Sequence, residues 1–116
     1  MFMLSNTKTT TTTTFFAGKA ARDMFTTVVA KEQQADAANA SATTHKTLNY
    51  APGPLDTDMQ TELRESVTLH PPTREWSLEA FQAGTLVKPE ESAAKCLRIL
   101  AADRFESGAH VDYYDT

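Results

Sequence analysis

The tripeptide Pro52-Gly53-Pro54 constrains this chain more than any other feature. Proline fixes φ and has no N–H to give to a helix or a ladder. The glycine between supplies turn geometry that other residues resist. These three residues must be a turn, and they end whatever precedes them. Before them, Thr47-Leu48-Asn49-Tyr50-Ala51 reads as a short strand. After them, Asp56 or Thr57 stands where a cap would, opening a helix through about Arg64. His70-Pro71-Pro72 interrupts the chain again. Ser77 to Ala83 then reads as a short helix capped by Ser77 and ended by Gly84, with Trp76, Leu78 and Phe81 as apolar contacts. Pro89-Glu90-Glu91 opens the clearest helix, since proline suits the first turn and the acids suit its dipole. Ala93, Ala94, Leu97, Leu100 and Ala101 form its expected buried stripe, with Cys96 beside it as a small core residue. Ser107-Gly108 makes a turn, and His110 to Tyr114 is a final strand.

Upstream, Ala17, Ala20, Ala21, Met24, Phe25, Val28 and Val29 recur at i, i+3, i+4 spacing. That predicts an amphipathic helix of about four turns, with Lys19, Arg22, Asp23 and Thr26 off its apolar face. Its alanines would let a helix or sheet approach closely. Residues 33–46 are small and polar and read as a surface loop inserted after that helix. The sequon Asn39-Ala40-Ser41 lies there, with nothing beside it to suggest secretion. Residues 1–14 carry the run Thr9 to Thr14 and read as a disordered, low-complexity leader. A mitochondrial presequence would want several arginines, and Lys8 is the one basic residue there.

Strands separated by helices argue for an α/β fold with parallel pairing. Two strands are few for such a sheet, so the sequence reads as the incomplete second half of a larger, doubly wound parallel sheet. The 116 residues allow one domain. The net charge of −4 without a basic cluster argues against nucleic acid and anionic membrane surfaces. One cysteine cannot form an internal disulfide, which places the chain by default in a reduced, cytoplasmic setting. No stretch approaches the ~20 apolar residues of a membrane span.

Chemistry is narrowed by what is missing. His45, His70 and His110 stand alone, without partners at metal-ligand spacing. There is no GxxxxGK[ST] phosphate loop and no GxSxG elbow. One combination is particular: Phe15-Phe16-Ala17-Gly18-Lys19-Ala20-Ala21-Arg22-Asp23-Met24, then Leu48-Asn49-Tyr50-Ala51-Pro52-Gly53-Pro54-Leu55-Asp56-Thr57-Asp58-Met59-Gln60, then Ser107-Gly108-Ala109-His110-Val111-Asp112-Tyr113-Tyr114-Asp115. In these segments the chain resembles the short-chain dehydrogenase/reductases from about residue 15 to 116. The likeness is greatest to the branch that reduces carbonyl groups on pterin side chains.

The resemblance implies a Rossmann-like fold, NADPH as cofactor and a pterin as substrate. It places Lys19 at the lysine of the family's Tyr-x-x-x-Lys pair, which binds the nicotinamide ribose. Pro52-Gly53 matches the turn that shapes the nicotinamide and substrate pocket. Leu55, Asp56, Thr57, Asp58, Met59 and Gln60 match the segment around the cofactor's carboxamide and phosphates, with Thr57 the expected hydrogen-bond partner. Asp112 matches the aspartate that anchors the pterin ring, a task suited to a carboxylate accepting paired N–H donors. The helix near Lys19 matches one that helps form the family's homodimer. The sequence also departs from the family. Phe15 stands at the catalytic tyrosine's position and has no hydroxyl to give a proton. The family's catalytic serine has no convincing match. No glycine-rich turn is present to cradle a pyrophosphate. The chain is therefore expected to be a fragment inactive alone; the alternatives are a non-catalytic product that pairs with a full-length relative, or a reductase of another carbonyl substrate.

Overall fold

The computed structural model describes residues 7–37 and 45–115. Their order is α1 (Thr7–Asp36), β1 (Leu48–Ala51), α2 (Asp58–Glu65), α3 (Pro71–Gln82), α4 (Pro89–Ala102), β2 (Ala109–Asp112) and a final 3₁₀ turn (Tyr113–Asp115). The two strands pair in parallel, with Leu48 opposite Ala109 and Ala51 opposite Asp112. The chain is thus α/β, compatible with part of a Rossmann-like sheet. The sequon at 39–41 lies outside the described residues.

Side chains alternate across a strand, and the two faces take different helices. Asn49 and His110, opposite one another, both reach Asp23 on α1. Tyr50 points the other way and reaches Ser92 on α4. Helices therefore lie on both faces of the sheet.

Three expectations about the helices change. α1 runs 30 residues from Thr7, so residues 7–14 are helical where an unstructured leader is expected, and it extends to Asp36 into the expected loop. Nothing in that stretch breaks a helix, since it contains no proline. α3 begins at Pro71, so the two prolines start a helix instead of separating one; Pro71 occupies the first turn, where its missing N–H costs nothing. Ser77 is accordingly not a cap but a fully buried residue in mid-helix.

The third change concerns which face is buried. On α1 the sheet-facing positions are Asp23, Thr26, Thr27 and Ala30, spaced i, i+3, i+4, i+7. Ala30 is 2% exposed, whereas Met24 is 63% and Phe25 70% exposed. The polar stripe wins because it is tied down: Asn49 Nδ2 donates to Asp23 Oδ1 at 2.6 Å, and Thr47 Oγ1 donates to the Thr26 carbonyl at 3.4 Å. α4 repeats the pattern. Ser92 is buried and Lys95, Cys96 and Ile99 are half-buried, while Ala93, Ala94, Leu97, Leu100 and Ala101 are exposed.

Candidate functional site

The segment leaving β1 is pinned from two sides. Ser92 Oγ donates to the Pro52 carbonyl at 2.8 Å. Beyond the turn, the Val87 N–H donates to the Pro54 carbonyl and the Asp56 N–H to the Val87 carbonyl, each at 2.8 Å. Gly53 between them has φ +78°, the left-handed region where glycine is at home. A Cβ there would stand 3.3 Å from Val87 Cγ2 and 3.4 Å from Tyr113 Cβ. Gly53 thus lies against the residue that follows Asp112, so the two substrate positions read from the sequence meet at the carboxyl ends of both strands. In open α/β sheets that edge is where ligands bind.

Asp112 closes β2. Its Oδ1 accepts the Tyr114 N–H at 2.9 Å, and its own N–H donates to Asp115 Oδ2 at 3.3 Å. A carboxylate has about four acceptor positions, so one capping bond leaves it able to accept further donors. Lys95 Nζ donates to the Tyr113 carbonyl and lies 4.2 Å from that ring's centroid, fixing the following residue.

Lys19 reaches the same edge by register. α1 runs antiparallel to β1, since Thr26 meets Thr47 and Asp23 meets Asn49. Four residues back along a helix is about 6 Å, or about two residues of strand. Lys19 therefore lies level with Ala51, the partner of Asp112. Phe15 lies one helical turn beyond it on α1.

The cofactor segment divides. Leu55 forms a parallel bridge with Val87 and Thr57 is the N-cap of α2, with no side-chain capping bond. Asp56, Asp58 and Met59 are exposed. Gln60 is turned inward instead: it is 5% exposed, and its Oε1 accepts the Ser77 hydroxyl at 2.7 Å. That bond holds α2 on α3, supported by Arg64 stacked 4.1 Å over Phe81.

Sequence reasoning missed Ser92 and gave Ser77 a capping role in place of its buried one. A lone serine inside a helix leaves no periodic trace; their small size at a close helix contact is the one signal they carry. His110 is also assigned now, with Nδ1 3.1 Å from Asp23 Oδ1, tying β2 to α1. Among the described residues, no group of three His, Cys, Asp or Glu could hold a metal. Nor is any described helix long and apolar enough to cross a membrane.

Fold and site together define an α/β layer whose parallel strands end at one edge beside the Pro52–Pro54 turn. Comparison with known proteins makes this specific. No protein-family model matches the chain. Over 98 residues, 84% of its length, it is 45% identical to the sepiapterin reductase of Meriones unguiculatus, 44% to that of Bos taurus and 41% to that of Xenopus tropicalis. The chain spans about a third of the length of these relatives. The chain is thus similar to part of the sepiapterin reductases, which are oxidoreductases.

Proposed function

We propose that the chain carries the substrate end of a site that reduces a pterin side-chain carbonyl with NADPH, a step in making tetrahydrobiopterin. The observation that supports this most is the meeting of Gly53 and Asp112 at one sheet edge, level with Lys19. Asp112 accepts paired N–H donors from the aminopyrimidine edge of the pterin. Gly53 keeps this edge close-packed, since a Cβ there would press on Val87 and Tyr113, beside the proposed pterin anchor. NADPH would supply the hydride. Lys19 would hold its nicotinamide ribose, and Leu55, Asp56, Thr57, Asp58 and Met59 would line its carboxamide and phosphates. Thr57 suits hydrogen bonding there because its hydroxyl makes no capping bond in α2. Gln60 serves this segment indirectly, by seating α2 on α3.

Proton donation is the missing function. Phe15 has a hydrocarbon ring where the family has a phenol, so no proton can be passed from it to the carbonyl oxygen. The chain holds no glycine-rich turn for the pyrophosphate. We therefore expect no turnover by this chain alone, and none from Phe15→Tyr alone. The pterin assignment is tested by Asp112→Ala, which should weaken pterin binding without changing NADPH binding; equal loss of both would contradict it. A reductase of another carbonyl substrate would bind independently of Asp112.

A second reading has its own support. Met24, Phe25 and Val28 of α1 are 43–70% exposed. An apolar helix face of this kind suits pairing, with a second copy or with a full-length relative. The proposed site of action is the cytoplasm.

A further inference from the structure

Three elements converge on the hydroxyl of Ser92, a residue 2% exposed near the start of α4. It donates to the Pro52 carbonyl at 2.8 Å. The Tyr50 hydroxyl of β1 donates to the Ser92 carbonyl at 3.1 Å and lies 3.2 Å from Ser92 Oγ. The Pro52–Gly53 peptide is trans and planar, so its C=O and N–H point in opposite directions. With the carbonyl held by Ser92, the Gly53 N–H faces away from α4. Glycine has little torsional preference of its own, so the peptide's orientation is set by what holds its two sides, this bond before it and the Val87 bonds after it. We propose that Ser92 is a positioning residue: it aims the Gly53 peptide at the substrate edge. The proposal rests on the reading of Gly53 as a substrate contact.

The chain has four glycines, so glycine-selective ¹⁵N labelling gives four backbone signals. Ser92→Ala should displace the Gly53 signal while those of Gly18 and Gly84, remote from other atoms, stay in place. Ser92→Thr keeps the hydroxyl and should restore it. In parallel, Ser92→Ala should raise the dissociation constant for sepiapterin roughly fivefold, the worth of one hydrogen bond, and Ser92→Thr should recover most of it. An unmoved Gly53 signal in folded Ser92→Ala overturns the proposal, as does unchanged sepiapterin affinity in a wild type that binds it. Should Ser92→Ala fail to fold, Ser92→Cys decides, since its thiol fills the site but donates weakly: a displaced Gly53 signal supports the proposal and an unmoved one overturns it. If sepiapterin leaves wild-type Gly53 unmoved while Ser92→Ala displaces it, the substrate reading of Gly53 falls and the hold of Ser92 on the turn stands.

Discussion

Three glycines adopt left-handed backbone, and they separate torsional cost from steric cost. A β-carbon at Gly84 (φ +67°) would meet nothing within 4 Å, one at Gly53 would meet Val87 at 3.3 Å, and one at Gly108 (φ +85°) would meet the Ala30 Cβ at 2.9 Å. Alanine at each carries the left-handed penalty of about 1–2 kcal/mol. The added contacts predict losses of melting temperature in the order Gly108→Ala, Gly53→Ala, Gly84→Ala, read by thermal denaturation. The buried Ser77–Gln60 bond predicts a further effect. Ser77→Ala leaves Gln60 Oε1 without this donor and should cost about 1–3 kcal/mol in denaturant unfolding. At this scale the turn at Gly53 was legible in the sequence, because the two flanking prolines force it. Ser92, Ser77 and the inward turn of Gln60 were not, because a single polar residue joining two elements depends on tertiary placement.

The elements were legible where composition forces them. Both strands, the Pro-Gly-Pro turn and the proline-led α4 fall within a residue or two of expectation. The buried faces of α1 and α4 were not. Hydrophobic periodicity identifies an apolar stripe but not which neighbour it meets. Here both helices set polar and small residues on the sheet, through Asp23–Asn49, Thr26–Thr47 and Ser92–Pro52. Their apolar stripes face outward. Phe25→Glu and Leu97→Glu should therefore shift chain stability by about 0.5 kcal/mol or less, while reducing self-association measured by size-exclusion chromatography. Asp23→Ala should do the reverse. It removes the acceptor shared by Asn49 and His110 and should release α1 from the sheet, seen as faster amide exchange along α1.

The whole molecule is open. It exposes 8816 Å², against about 6,300 Å² for a compact protein of this mass. Its radius of gyration is 18.4 Å, against about 13 Å for a compact chain of this length. Its buried hydrophobic residues among those described are Ala30, Ala80 and Val87, all small or medium in size. Such a core predicts low thermal stability. Among the described residues the sheet has two strands, and the chain spans about a third of the length of the relatives it matches. The most direct test of Asp112 as a pterin anchor is a sepiapterin titration followed by intrinsic fluorescence, with wild type and Asp112→Ala side by side. Wild type should bind saturably and the variant roughly tenfold more weakly, as expected for a lost charge-assisted bond, and neither should consume NADPH. Equal affinity in the two proteins, or turnover by wild type, would contradict this reading.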